Sequence, residues 1–218
     1  MTDRLILAID TSFGPVGAAL ATLDGRIVAA FEADNPPGTQ AETLPPRVAE
    51  MFASAGAAYS QLSRIAVTVG PGAFTGVRVG LAFAKGIKLA TGAVILGVTT
   101  LECLGAQAAH AKPGHMVGVA IDAKRGEVYA HAFGADLAPI GEAGVFAVAD
   151  AAASFRRSLR APFVLTGSGA SLLGLDAPIV EAGRVDVRLL AQRMAVADPQ
   201  LYPPVPAYLR APDAKLPS

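Results

Sequence analysis

The chain has 218 residues, of which 52% are hydrophobic, and its 18 Lys and Arg residues balance 18 Asp and Glu residues. This composition excludes a disordered chain, and the length suits one large domain or two small ones with a core of their own. The single cysteine, Cys103, excludes a disulfide framework and is typical of a reducing compartment. Zero net charge gives no basic excess of the kind that autonomous nucleic-acid binding needs.

The apolar stretches of the sequence are short. The longest ones without a charge, residues 65–77 and 89–101, fall well below the roughly 20 residues of a membrane helix. The apolar run near the start, residues 5–9, is shorter than the core of a secretory signal. We therefore expect a soluble cytoplasmic protein.

The first half of the chain predicts three strands followed by alternating helices and strands, from the hydrophobic periodicity and the turn residues between the elements. The predicted strands are Leu5–Asp10, Val16–Thr22, Arg26–Ala33, Arg64–Val69 and Val94–Val98. The predicted helices are Gln40–Ala57 with Thr39 as its cap, Thr75–Thr91 ending at Gly92, and a third that ends near Ala111.

The second half begins again with strands. The predicted strands are Val117–Asp122, Gly126–Phe133, a weaker one at Ile140–Val148, and Phe163–Thr166. The predicted helices are Asp150–Leu159 and Val187–Ala197, the latter capped by Asp186, and an extended tail runs from Pro199 to Ser218.

An internal repeat supports two subdomains, residues 1–112 and 113–218. The residues that recur at a constant offset are Ala8, Ile9, Asp10, Gly14, Val16, Ala18 and Asp24, matched by Ala120, Ile121, Asp122, Gly126, Val128, Ala130 and Asp136. Two α/β units that each begin with a β-hairpin predict the duplicated fold of actin-like, sugar-kinase and chaperone ATPases (ASKHA). This analogy concerns the fold and does not establish an activity.

In that superfold, the acidic turn at the head of each half handles phosphate and metal. Asp10 with Thr11 and Ser12 fits the first such turn, and Asp122 fits the second. Backbone N–H groups of a tight turn bind anionic oxygens, and the carboxylate holds a cation or a water molecule. The alternative is that both aspartates only cap the turns that follow them.

The glycine-rich segment Gly70–Gly76 joins a predicted strand to a predicted helix. It lacks the Gly-Lys-Ser/Thr of a phosphate-binding P-loop and the spacing of a dinucleotide-binding fingerprint. In the helix that follows, Gly76, Gly80 and Ala84 form a ridge of small residues, with Val77 and Leu81 beside it. Such a ridge indicates close packing, either against the sheet of the same domain or against a helix of another chain.

Metal and nucleophile patterns are weak in this sequence. His110 and His115 are separated by a Lys-Pro-Gly turn, which is not the spacing of a zinc helix, and His131 is isolated. Cys103 lies in an apolar helix, where a buried inert thiol is expected. We expect neither a metal site nor a catalytic residue.

Several motifs resemble one bacterial family. They are Ile6-Leu7-Ala8-Ile9-Asp10-Thr11-Ser12, Gly70-Pro71-Gly72-Ala73-Phe74-Thr75-Gly76-Val77-Arg78-Val79-Gly80, Gly97-Val98-Thr99-Thr100-Leu101-Glu102, Ala120-Ile121-Asp122-Ala123-Lys124-Arg125-Gly126-Glu127-Val128-Tyr129 and Pro206-Ala207-Tyr208-Leu209-Arg210. Together they cover nearly the whole chain and are similar to the TsaB (YeaZ) family.

The resemblance implies the ASKHA fold and a non-catalytic role in making threonylcarbamoyladenosine beside the anticodon of tRNAs that read codons beginning with A. The implied partners are the catalytic paralogue TsaD and the ATPase TsaE; a homodimer stays open, and tRNA is reached only indirectly. The resemblance implies that the chain binds no cofactor of its own. It leaves open whether ATP or ADP binds at the partner interface.

The resemblance also places the contact with TsaD on the helices 40–57 and 75–91, so that the small-residue ridge becomes an intermolecular surface. The candidate interface residues are Leu44, Val48, Gly76, Val77, Gly80, Leu81 and Ala84.

Two other functions remain as alternatives. One is a nucleotide-hydrolysing or sugar-phosphorylating enzyme that uses Asp10, Asp122 and the Gly167–Gly169 turn. The other is a metalloprotease, but the loop Pro36-Pro37-Gly38-Thr39-Gln40 lacks the His that members of the family often carry there. That departure leaves the protease hypothesis without a ligand set.

Overall fold

The computed structural model describes residues 4–34, 36 and 38–210. The strands in chain order are β1 Leu5–Asp10, β2 Val16–Thr22, β3 Ile27–Ala33, β4 Leu62–Thr68, β5 Val94–Val98, β6 Met116–Lys124, β7 Glu127–Phe133, β8 Pro139–Ala147, β9 Phe163–Thr166 and β10 Ile179–Val180. The helices are α1 Gln40–Ser54, α2 Phe74–Thr91, α3 Thr100–Ala111, α4 Val148–Ser158 and α5 Val187–Val196. Among these described residues, no helix combines the length and apolarity of a membrane span.

The two sheets have the same strand order. The first is β3-β2-β1-β4-β5, and the second, written in the matching direction, is β8-β7-β6-β9-β10. In each, the opening hairpin and its third strand pair antiparallel, while the following strands pair parallel to the first. This correspondence confirms the duplication that the internal repeat predicts, together with the ASKHA-like fold class.

The central strands of the first sheet are buried on both faces, which carry small and branched apolar residues. All residues of β1 and β2 are buried, and Ile6, Leu7 and Ile9 are among the largest side chains with no exposed surface. In the second sheet, Phe155 of α4 packs with β6 and β9 residues such as Leu165 in a separate core.

The observed units differ from the predicted division after residue 112. Contacts group the chain up to Gln107 with Ala182–Pro206, and Ala108–Glu181 with residues 207–210. The return to the first unit is made by α5, which packs on β1 and β2 with Val187 against Gly17. Arg64 of β4 fixes the end of that helix by donating hydrogen bonds to the carbonyls of Met194 (3.1 Å) and Ala197 (2.6 Å).

Most element boundaries agree with the prediction, with a few differences. Asp186 caps α5 as predicted, since its carboxylate accepts hydrogen bonds from the backbone N–H groups of residues 188 and 189. Thr39 precedes α1 but its side chain donates to the carbonyl of Pro36 instead of capping the helix. The predicted tail beyond Arg210, and Asn35 and Pro37 of the loop before α1, lie outside the described residues.

Candidate interaction surface and candidate anion site

Asp10 is the last residue of β1 in the first unit, and it is 1% exposed. Its Oδ1 accepts hydrogen bonds from the backbone N–H of Ser12 (3.0 Å), the Ser12 hydroxyl (2.8 Å) and the Thr68 hydroxyl (2.5 Å). The Ser12 hydroxyl also lies 3.1 Å from that of Thr100. The Oδ2 of Asp10 has no hydrogen-bond partner among the residues that the structure describes.

Burial raises the pKa of Asp10 above the ordinary value of an aspartate, and the hydrogen bonds from Thr68 and Ser12 oppose this effect. A buried carboxyl with one unpartnered oxygen favours the neutral form because ionisation in a low-dielectric interior is costly. Asp10 therefore favours folding most when it is protonated.

Thr11 and Ser12 are also buried, and they hold the turn after β1 against α2. The Thr11 hydroxyl donates to the carbonyl of Gly76 (2.7 Å), and the backbone N–H of Ala73 donates to the carbonyl of Ser12 (2.8 Å). The side chains of the predicted anion site are thus used in contacts within the unit. An anion site at Asp10, Thr11 and Ser12 stays a prediction.

Asp122, in the second unit, has a more exposed environment. Its carboxylate accepts hydrogen bonds from the backbone N–H (2.8 Å) and the ammonium group (2.6 Å) of Lys124. These hydrogen bonds lower the pKa of Asp122. The backbone N–H of Asp122 donates to the hydroxyl of Ser168, which ties the hairpin to the turn at Gly167–Gly169.

Gly72, Gly76 and Gly80 are required by the close approach of α2 and the residues before it to the turn at Thr11 and Ser12. A Cβ atom at Gly72 would lie 2.2 Å from the carbonyl oxygen of Ser12, and one at Gly76 would lie 1.8 Å from that of Thr11. At Gly80, it would lie 2.6 Å from the Thr11 hydroxyl oxygen. These distances leave no room for a side chain, so the segment packs on the turn that follows the first strand of its own unit.

The candidate interface residues need correction on this basis. All seven are buried within the first unit, and they are Leu44, Val48, Gly76, Val77, Gly80, Leu81 and Ala84. The ridge of Gly76, Gly80 and Ala84 faces the turn after β1 and Val67 of β4, so that another chain has no access to it. Of the two interpretations of the ridge, packing against the same domain is the one that the contacts support.

The opposite face of α2 carries a second ridge of small residues, and that ridge is exposed. Ala82, Gly86 and Ala90 recur every four residues, and a Cβ atom at Gly86 would meet nothing within 4 Å. Residues two positions apart on a helix lie about 200° apart, which places this ridge opposite the buried one. Phe74 (52% exposed) and Leu89 (89% exposed) flank it. We call Phe74, Ala82, Gly86, Leu89 and Ala90 the outer face of α2.

The sequence contains a signal for the outer face of α2 as well, because Ala82, Gly86 and Ala90 have the same four-residue spacing as the buried ridge. Spacing alone does not tell which of the two ridges faces the core. Arg78 lies over the Phe74 ring, 3.8 Å from its centroid, which holds that exposed aromatic side chain in place by a cation–π contact.

No group of three or more His, Cys, Asp and Glu side chains is placed to hold a metal ion within residues 4–34, 36 and 38–210. Cys103 is buried as expected, and burial raises the pKa of its thiol well above the ordinary value, with the neighbouring Glu102 adding to the effect. A thiol in this state is a poor nucleophile.

Two units that each begin with a hairpin and share one strand order define the duplicated actin-like α/β class. A solved structure of YeaZ from Pseudomonas aeruginosa is similar over 94% of this chain and 100% of its own, with a TM-score of 0.74 and 25% identity. A family model described as "TsaD: tRNA N6-adenosine threonylcarbamoyltransferase" matches residues 39–173.

Sequence relatives agree with this class. The tRNA threonylcarbamoyladenosine biosynthesis protein TsaB of Escherichia coli is 38% identical over 57% of this chain, and the match spans 52% of that relative's length. An uncharacterized protein of Mycobacterium bovis is 32% identical over 96% of this chain and 93% of its own. The chain belongs to the threonylcarbamoyltransferase family that the model describes, and its named relatives place it in the TsaB (YeaZ) group.

The two faces of α2 predict opposite effects for the same substitution. Gly76→Ala places a Cβ atom against the Thr11 carbonyl and is expected to destabilise the fold by about 2 kcal/mol or more. Gly86→Ala, the matched control, meets open space and is expected to stabilise it by about 0.5–1 kcal/mol through helix propensity. Urea unfolding of both variants measures the difference, and equal effects would contradict the assignment of the faces.

The state of Asp10 predicts a pH dependence of stability. Because the pKa is raised in the fold, the advantage of the native protein over Asp10→Asn is full below the unfolded pKa of about 3.9 and is lost as the pH rises through the folded pKa. Asp122→Asn is the matched control: a lowered pKa gives stability that is present at neutral pH and lost on acidification. Urea unfolding across the acid-to-neutral range measures both slopes, and an advantage over Asp10→Asn that grows with pH would contradict the account.

Proposed function

We propose that this chain is a non-catalytic partner subunit of the machinery that attaches threonylcarbamoyl to the adenosine beside the tRNA anticodon. It binds a catalytic threonylcarbamoyltransferase paralogue and acts with an ATPase subunit of the TsaE kind. Support comes from the names of its relatives and from the matching family model. The chain works in the cytoplasm, where the tRNA is.

The observation that carries the proposal is the outer face of α2. Ala82, Gly86 and Ala90 let the backbone of a second helix approach closely, and Leu89 (89% exposed) and the half-exposed Phe74 add apolar area. Gly86 costs the helix about 1 kcal/mol relative to Ala, and a close contact with another protein accounts for that cost. We expect the paralogue to place a helix of its own against this face. A homodimer through the same face would compete with that complex.

The chemistry of Asp10 supports a role without catalysis. In the first unit, the hydroxyls of Thr11 and Ser12 and the Oδ1 of Asp10 are all engaged in internal hydrogen bonds. We therefore expect ATP or ADP to bind at the contact with the partner in the complex, and not to this chain alone.

A nucleotide-hydrolysing enzyme is the second candidate, and the buried, unpartnered Oδ2 of Asp10 is the observation that favours it. Calorimetry with Mg-ATP on the isolated chain separates the two proposals. Micromolar binding with turnover would support the enzyme, whereas the partner-subunit proposal predicts no turnover by the chain alone.

The partner surface is tested by mixing the purified chain with its threonylcarbamoyltransferase paralogue and following the complex by size-exclusion chromatography. The native chain is expected to form a larger species, and Ala82→Arg to abolish it, because a long cation cannot fit between closely packed helices. Ala135→Arg, in an exposed turn of the second unit, is the control and should assemble normally. Assembly of Ala82→Arg at native affinity would overturn the assignment of the outer face, and failure of the native chain to assemble would overturn the partner function.

A further inference from the structure

Positive charge is concentrated at one edge of the second unit. Residues 108–121 and 151–175 contain no Asp or Glu, and they carry Lys112, Arg156, Arg157 and Arg160. We call these four residues the basic edge. All four are exposed. The neutral total of the chain therefore conceals a strongly uneven distribution of charge.

Specific contacts bring the two acid-free segments together. Met116 at the start of β6 pairs with Phe163 at the start of β9, and its backbone N–H donates to the carbonyl of Pro162 (3.1 Å). The backbone N–H of Arg160 donates to the Met116 sulfur (3.2 Å). The turn that contains Lys112 leads directly into Met116, since the N–H of His115 donates to the Lys112 carbonyl (3.3 Å).

The cations of the basic edge have no carboxylate within ion-pair distance in the described part of the chain. Other cations of the same unit are paired: Lys124 with Asp122, and Arg210 with Glu127. The guanidinium of Arg160 donates instead to the backbone carbonyl of Arg157 (2.7 Å) at the end of α4. Four neighbouring like charges without acids repel one another and favour a polyanion.

The helix dipole explains part of this arrangement. Cations in the last turn of a helix are stabilised by the partial negative charge of its carbonyl end, which applies to Arg156 and Arg157 of α4. Lys112 lies at the carbonyl end of a different helix, since it directly follows α3 and its backbone N–H donates to the carbonyl of Ala108 (2.9 Å). The dipole of each helix accounts for its own cations, but it does not explain why two helices end in cations at the same acid-free edge.

We infer that the basic edge binds the phosphate backbone of RNA. The inference rests on the proposed function, in which that RNA is the tRNA substrate. Unpaired exposed cations bind phosphates because they release the counterions condensed on the nucleic acid. Phe155, the nearest aromatic residue of α4 in sequence, is 3% exposed, so it offers no surface for base stacking. The contact therefore positions the RNA without reading its sequence.

The inference is tested with the complex of the full chain and its paralogue, using fluorescently labelled tRNA and a series of salt concentrations. Arg156→Gln/Arg157→Gln is expected to weaken binding about tenfold at low salt and to reduce the slope of log affinity against log salt by about two, one for each lost phosphate contact. Arg184→Gln/Arg188→Gln removes the same charge from the first unit, where both arginines pair with Glu32, and should keep the native slope.

Lys112→Glu provides a second variant that does not depend on the stability of α4, and it is expected to weaken tRNA binding as well. Circular dichroism and size-exclusion chromatography verify that each variant folds and assembles. A native slope for the edge variants, or an equal loss in the Arg184→Gln/Arg188→Gln control, would overturn the inference. Native tRNA binding combined with lost binding to phosphatidylglycerol vesicles would also overturn it, in favour of a membrane surface.

Two different experimental outcomes separate a wrong RNA surface from a wrong proposed function. If the chain does not assemble with the paralogue, the proposed function fails, and the same titration on the isolated chain still tests the basic edge. If the complex assembles and the edge variants bind tRNA like the native protein, only the RNA surface fails.

Discussion

The first unit depends on the contact between the turn after β1 and the inner face of α2. Gly72, Gly76 and Gly80 allow the helix to approach the backbone of Thr11 and Ser12 so closely that a methyl group does not fit. The Thr11 hydroxyl and the Ala73 amide complete the contact with hydrogen bonds. Interior glycines cost helix stability of about 1 kcal/mol each, and this packing compensates for that cost.

The contact also determines which residues remain available for function. Because α2 turns Gly76, Gly80 and Ala84 inward, its outer face presents Ala82, Gly86 and Ala90 to solvent. Asp10 ends β1 immediately before the same turn, and its carboxyl group accepts hydrogen bonds from Ser12 and Thr68. A buried, hydrogen-bonded aspartate at the end of β1 suits a scaffold. An exposed helix face of small residues suits the binding of a partner. The unpaired cations of the basic edge give the second unit a surface of its own.

Much of the fold was predictable because the repeat and the hydrophobic periodicity are local signals. The bounds of β1, β2 and β5 agree with the sequence patterns. The return of α5 to the first unit was not predictable, since it rests on tertiary contacts such as Val187 against Gly17. The ridge of Gly76, Gly80 and Ala84 packs within its own unit, which the sequence does not reveal, because four-residue spacing identifies a ridge but not the side that faces the core. Net charge likewise concealed the basic edge, which depends on where the residues meet in space.

The central claim is that α2 has one closed face and one open face, and that a partner covers the open one. Thiol labelling of Ala82→Cys, alone and with the threonylcarbamoyltransferase paralogue, tests it most directly, with the buried Cys103 as an internal slow standard. The account predicts rapid labelling of position 82 in the isolated chain and strong protection in the complex. Slow labelling in the isolated chain, or equally rapid labelling in both states, would contradict it.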